Sequence, residues 1–289
     1  MERIVWFYWS QGWAEAPWFV KRNYLSWVVR NPEWKVVFLD DSNIEKYSDA
    51  LNIVKRNRYR ISVTGFSDIL RLDLLTNRGG AWVDATLICM NPLETWLPQA
   101  TEPSGFFSFR SGCLDRDLAT WHVAARSHNY LVTKWLELAK WYWGEHDFDN
   151  PEPWLPIIAE LEKKYCGSHE ATAGFFSSEV LNLRVYPYFW VNYLHQMLVR
   201  DDAVAGDIWN KTTNLFCGAQ STFLQHDPLM PPNDYTGMII NKPDIMMLKF
   251  DRRRMPEAPP AGSVLDLVYG PWLKLDLPEL AEVMAPTEG

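Results

Sequence analysis

The run Arg78-Gly79-Gly80-Ala81-Trp82-Val83-Asp84-Ala85-Thr86 constrains the fold of this chain more than any other stretch. It reads as a tight Gly-Gly turn, a short buried strand over Ala81–Val83, and a carboxylate, Asp84, at the strand's carboxyl end. In open α/β sheets that end is where ligands bind. Just upstream, Ser67-Asp68-Ile69-Leu70-Arg71 predicts a helix start. Ser67 suits an N-cap, and Asp68 falls in the first turn, where the helix dipole favours a negative charge. Ile69, Leu70, Leu74 and Leu75 are spaced to form one apolar face, and Gly79 or Gly80 supplies the left-handed end.

The preceding residues set the same architecture. Ile4–Tyr8 is apolar and strand-like, and Ser10-Gln11-Gly12 breaks it. Pro17 can open a helix to about Arg30, because proline suits the first turn, and Asn31-Pro32 ends it. Lys35–Leu39 is a second strand, with Asp40 and Asp41 at its carboxyl end. A β-α-β order of this kind implies parallel strands. The expected fold is therefore α/β, a nucleotide-binding, mostly parallel sheet flanked by helices.

Later segments read differently. Phe106–Phe109 suits another strand, while helical periodicity runs over Asn129–Trp143, from Pro151-Glu152-Pro153 to about Tyr165, over Ser177–Leu183 and over Tyr188–Val199. From Met255 the chain is proline-rich and expected to be irregular, with one short helix after Pro278. One domain accommodates all of this, with a nucleotide-binding part over 1–110, a helical elaboration on the acceptor side over 111–254 and a tail over 255–289.

Composition narrows the function. Net charge is −8, and the basic residues concentrate only in Lys55–Arg60 and Lys249–Arg254. Nucleic acid is excluded as the main partner, since neutralising its phosphates takes a broad positive surface. No apolar run is long enough to span a bilayer, and Met1–Trp6 shows no signal-peptide pattern, so a cytoplasmic setting is expected. The four cysteines (Cys89, Cys113, Cys166, Cys217) form no CxxC pair and are expected to be reduced and mostly buried. The 16 tryptophans suit sugar or base stacking as a group, but each alone is better read as a packing residue.

Asp68 and Arg71, three apart on a helix, share a face. Alone they would be a simple ion pair, and Asp84 alone could be a turn carboxylate. Together they define a rim that could serve the hydroxyls and phosphates of one ligand. The segments Trp6-Phe7-Tyr8-Trp9-Ser10-Gln11-Gly12, Ser67-Asp68-Ile69-Leu70-Arg71 and Gly79-Gly80-Ala81-Trp82-Val83-Asp84-Ala85-Thr86 resemble glycosyltransferases of the capsular polysaccharide synthesis group. That group is related to glycosyltransferase family 32 and to clostridial glucosylating toxins. The resemblance covers roughly residues 1–100, and the SDxxR and GGxWxD patterns are specific in combination.

The resemblance implies a GT-A-like fold and transfer of a sugar, with retention, from a nucleoside-diphosphate donor, UDP-linked by preference. The acceptor it implies is a saccharide or lipid-linked saccharide in bacterial surface polysaccharide (capsule or O-antigen) synthesis, with a peripheral contact at the inner membrane face. Asp68, Arg71 and Gly80 would meet the donor sugar, and Asp68, Arg71 and Asp84 would carry the chemistry. Trp6, Tyr8, Trp9, Gln11 and Ser67 would hold the nucleotide. The family's metal motif is Asp-x-Asp, and here it is Asp84-Ala85-Thr86. A hydroxyl is a poorer ligand than a carboxylate for Mn²⁺ or Mg²⁺. Three possibilities stay open: a divalent metal held weakly with the nucleotide, a metal helped by His226 or Asp227, or Lys249 or an arginine of Arg252–Arg254 in place of the metal's charge on the leaving diphosphate. A non-catalytic nucleotide-sugar-binding protein is the alternative that Thr86 keeps open.

Overall fold

The computed structural model describes residues 1–113, 116–149, 156–165 and 171–279. Seven strands occur among them: β1 (Ile4–Tyr8), β2 (Lys35–Leu39), β3 (Gly80–Asp84), β4 (Leu87–Cys89), β5 (Phe106–Cys113), β6 (Arg116–Ala125) and β7 (Met247–Lys249). The chain divides into two compact units. One comprises Met1–Glu2, Asn43–Trp82 and Ala100–Leu215, and the other Arg3–Ser42, Val83–Gln99 and Phe216–Gly289. Both units are discontinuous in sequence, because the chain passes back and forth between them.

The unit containing the amino-terminal strands is built as the β-α-β pattern predicts. β1 and β2 pair in parallel, from Ile4 opposite Lys35 to Tyr8 opposite Leu39. The helix Trp18–Arg30 joins them, with Pro17 at its N-cap and Asn31 at its C-cap. Its inner face buries Phe19, Val20, Tyr24 and Trp27, and also two polar residues, Asn23 and Ser26. β4 and β7 form an antiparallel ladder, Leu87 opposite Lys249 and Cys89 opposite Met247.

In the proline-rich segment the structure departs from expectation. A helix runs from Val264 to Leu273 with Pro271 inside it, capped by the Ser263 Oγ, which accepts the Asp266 N–H at 3.2 Å. Val264, Leu265, Val268, Tyr269 and Trp272 are buried along one stripe. That burial outweighs the proline, which removes only one hydrogen bond close to the helix end. The helix expected after Pro278 falls on residues outside the described ones from residue 280 onward.

In the other unit the helix carrying Asp68 and Arg71 spans Val63–Arg78. Its N-cap is Ser62, whose Oγ accepts the Gly65 N–H at 3.1 Å, rather than Ser67. Asp68 therefore lies beyond the first turn, outside the reach of the N-terminal dipole. The strand expected over Phe106–Phe109 continues to Cys113 and forms a hairpin with β6, Phe106 opposite Ala125. The pairing slips after Ser108 and again after Arg110, an irregularity that masks strand periodicity in the sequence.

The helix expected from Asn129 is present over Tyr130–Glu145, capped by Asn129. Helices also span Pro156–Tyr165, Ser178–Leu181 and Trp190–Asp201. Pro151, Glu152, Pro153 and Cys166 lie outside the described residues. Trp6, Trp27, Trp82, Trp135, Trp143 and Trp190 are fully buried, so much of the tryptophan content is core. Of the three described cysteines, Cys89 is buried, Cys217 half-buried and Cys113 exposed. Burial pushes the Cys89 thiol up to about 12. Among the described residues no helix is long and apolar enough to cross a membrane.

Candidate functional site

Asp84 stands at the end of β3, and its Oδ2 accepts a hydrogen bond from the Lys249 Nζ at 2.5 Å. The pair is neither buried nor free in solvent, with side chains 28% and 13% exposed respectively. The two residues are 165 positions apart, and the short β4–β7 ladder brings them together. Lys249 sits opposite Leu87, the residue that follows Asp84-Ala85-Thr86. The Phe250 N–H donates to the Thr86 carbonyl at 3.1 Å, and the Lys249 N–H donates to the Gln220 carbonyl at 2.8 Å.

A buried network braces the same loop from the helix Trp18–Arg30. The Asn23 side-chain amide donates to the Ala85 carbonyl at 2.8 Å, and its own Oδ1 accepts the Tyr269 hydroxyl at 2.8 Å. Trp27 Nε1 donates to the Leu87 carbonyl at 3.0 Å. Burial lifts the Tyr269 phenol far above its usual range, against the opposing effect of the Asn23 bond, so it stays a neutral donor. Sequence reasoning missed Asn23 and Tyr269. A polar residue on an otherwise apolar helix face was the available signal, since buried amides require partners.

At the carboxyl ends of β1 and β2, the Tyr8 hydroxyl donates to Asp41 Oδ1 at 2.6 Å. Asp40 is buried, and its Oδ1 accepts from the Ser42 N–H at 2.9 Å and the Ser42 hydroxyl at 2.6 Å. Gly12 has φ +82°, and a Cβ there would lie 3.2 Å from Asp40 Oδ2.

This changes the reading of the nucleotide candidates. Trp6 is 1% exposed and is a core residue, so its ring is not offered to a base. Trp9 is half-buried and Gln11 exposed, with the Gln11 Oε1 accepting from Ser10 Oγ at 2.9 Å. Ser67 lies inside its helix in the other unit, and its Oγ donates to the Thr64 carbonyl at 2.7 Å.

Asp68 and Arg71 form a buried ion pair within the unit that holds the helix Val63–Arg78. The Arg71 guanidinium also lies over the Trp82 ring, 4.9 Å from its centroid. Gly79 and Gly80 have φ +66° and +93°. At Gly79 an added Cβ would come within 2.0 Å of Glu2 Oε2 and 2.7 Å of the Ser127 N. The structure thus brings Asp68 together with Arg71, and Asp84 together with Lys249, each pair inside its own unit.

His226 and Asp227 do not complete a metal site with Asp84. Among the described residues no group of three or more His, Cys, Asp or Glu could hold a metal ion. The His226 ring packs on Tyr235, with centroids 5.1 Å apart. Asp227 accepts the Leu229 N–H at 3.1 Å and pairs with Arg254 at 3.4 Å. Hard divalent ions take about six or more oxygen ligands, anchored by carboxylates. Asp84 supplies one carboxylate, Thr86 only a hydroxyl, and an ammonium already occupies Asp84. These residues do not fit a resident Mn²⁺ or Mg²⁺.

Residues 1–149 match the model of a family described as capsular polysaccharide synthesis protein, and the chain belongs to that family. The O-glycosyltransferase braB of Annulohypoxylon truncatum is 30% identical over 163 residues, 49% of this chain and 38% of that one. The glycosyltransferase afumC of Aspergillus fumigatus is 29% identical over 163 residues, 49% of this chain and 40% of that one. The O-glycosyltransferase PaGT of Phomopsis amygdali is 26% identical over 179 residues, 55% and 43% of the two chains. The aligned part is thus well under half the length of each of these relatives.

Among solved structures, the PaToxG glycosyltransferase aligns with TM-score 0.38 and 15% identity over 84% of this chain and 85% of that one. Mouse xyloside xylosyltransferase 1 aligns with TM-score 0.41 and 9% identity over 88% and 99%. Both scores are too low to establish a shared fold.

Proposed function

We propose that this chain is a glycosyltransferase that moves a hexose from a nucleoside-diphosphate donor onto an acceptor hydroxyl. The observation that carries this reading is the Asp84–Lys249 pair, a fixed acid and base at the carboxyl end of β3, in a chain of the capsular family. Two of the named relatives are O-glycosyltransferases, which supports a hydroxyl acceptor. Family membership favours a saccharide or lipid-linked saccharide of a surface polysaccharide, handled in the cytoplasm at the inner membrane face. The donor is UDP-linked in this reading.

The chemistry follows from the leaving group. As the bond from the anomeric carbon to the diphosphate oxygen breaks, the sugar gains oxocarbenium character. Negative charge builds on the diphosphate, and fixed donors aimed at it supply the largest catalytic effect. The acceptor oxygen bonds to the anomeric carbon on the face the diphosphate leaves, and the acceptor proton passes to the departing phosphate oxygen. Configuration is retained without a protein nucleophile.

The test is release of UDP or GDP from a panel of sugar nucleotides, with and without saccharide acceptors. Asp84→Asn is expected to lower turnover about a hundredfold with the fold retained by circular dichroism. Absence of nucleotide binding across the panel would sink the reading. Binding without turnover would favour the second reading, a non-catalytic nucleotide-sugar-binding protein, which Thr86 in place of a carboxylate favours.

A further inference from the structure

We infer that Lys249 takes the place of the divalent cation, so that this chain binds the diphosphate of its donor without metal. This rests on the donor reading above and goes beyond it.

The first ground is that a metal at Asp84 would be repelled by the ammonium already there. The ammonium sits 2.5 Å from Asp84 Oδ2, and a divalent ion at that oxygen would stand within a few ångströms of a like charge. The second is that the ammonium is built in rather than incidental. Its residue is fixed by the ladder to Leu87 and by flanking backbone bonds to Gln220 and Thr86, so its position is tied to that of the motif loop. The third is chemical capacity. A lysine ammonium has three N–H donors. Asp84 accepts one, which aims the group and leaves donors for phosphate oxygens.

The fourth ground is the rest of the same segment. Arg253 pairs with Asp251 at 2.7 Å and Arg254 with Asp227 at 3.4 Å. Those two guanidiniums pair with carboxylates outside the Asp84-Ala85-Thr86 motif, whereas Lys249 is fixed to the motif itself. Thr86 fits this arrangement. With a lysine as the cation, a second carboxylate would add only repulsion against the diphosphate, and a hydroxyl is neutral.

The experiment is isothermal titration of UDP and of GDP into the full chain, in EDTA and in Mn²⁺. Affinity is expected to agree within about threefold between the two conditions, since no metal ligand is lost. Lys249→Ala should weaken binding about tenfold or more in EDTA, the loss of a charge-assisted hydrogen bond, and Lys249→Arg should recover most of it. In Lys249→Ala, Mn²⁺ should restore part of the affinity, because the ammonium no longer repels a cation at Asp84.

Wild-type binding that vanishes in EDTA and returns with Mn²⁺ overturns the inference while leaving the donor reading intact. No nucleotide binding in either condition overturns both. The wild-type comparison needs no variant, so an unstable Lys249→Ala would not rescue the idea.

Discussion

Arg71 lies over the Trp82 ring at 4.9 Å from its centroid while its guanidinium pairs with Asp68. The tryptophan of the Gly-Gly motif therefore supports the acid–base pair of the preceding helix. Stacking and a planar fork are properties that lysine lacks. Arg71→Ala should destabilise the protein by about 3 kcal/mol, because it removes one half of a buried ion pair. Arg71→Lys should recover only part of that. Urea unfolding of the two variants checks this, and a loss within experimental error for Arg71→Ala would show that the pair is solvated.

The helix bearing this pair begins at Ser62. Ser62→Ala should cost about 1 kcal/mol, the usual value of an N-cap. Ser67→Ala should stay within about 0.5 kcal/mol, since its hydroxyl only returns to the Thr64 carbonyl. Thermal unfolding of both variants distinguishes the two serines, and equal losses would contradict the observed helix start.

Gly79 ends that helix at φ +66°, ψ −163°, a conformation that side-chain-bearing residues essentially do not adopt. Its missing Cβ makes room for the Glu2 carboxylate, which accepts from the Ser127 hydroxyl at 2.5 Å. Gly79→Ala should therefore cost more than about 2 kcal/mol and expel Glu2. Denaturant titration alongside Glu2→Ala, combined in a double-mutant cycle, measures the coupling.

Stability should fall on the alkaline side. Burial pushes the Tyr24 phenol up to about 12. It also raises Tyr142, and it raises Tyr8 together with the Asp41 hydrogen bond. These folded values lie above the ordinary 10.0, so between the two the unfolded chain has released protons that the folded chain keeps. The stabilisation is fully present below pH 10 and is lost as pH climbs through the folded values. Absorbance titration at the tyrosinate band should show a fraction of the phenols ionising only with unfolding. Smooth ionisation of all of them near pH 10 would contradict the burial.

The amino-terminal β-α-β was legible because its signals are local. Ile4–Tyr8 and Lys35–Leu39 are continuous apolar runs, and Pro17 and Asn31-Pro32 bracket the helix. The start of the next helix was misread by one serine for another. Ser62 and Ser67 look alike as letters, and only the Gly65 N–H decides between them. β6 was invisible because its pairing with β5 slips twice, and the helix Val264–Leu273 was hidden by prolines that its buried stripe overrides.

In the candidate site, Asp68, Arg71 and Asp84 stood out through their motifs, and Lys249 through its charge. That Lys249 would meet Asp84 could not be read, because a three-residue ladder between distant segments leaves no pattern in either. Asn23 left a signal, a polar residue on an apolar helix face, but its partner Tyr269 lies 246 positions away.

The β4–β7 ladder also has a consequence for how the molecule is made. The region that defines the family ends at residue 149, but Asp84 meets its lysine only through β7, at Met247–Lys249. β7 is translated after β4, so a chain that stops short of β7 lacks the ladder's partner strand. Unfilled strand edges invite association with other chains. Fragments that stop before β7 should therefore aggregate more than the full chain during expression.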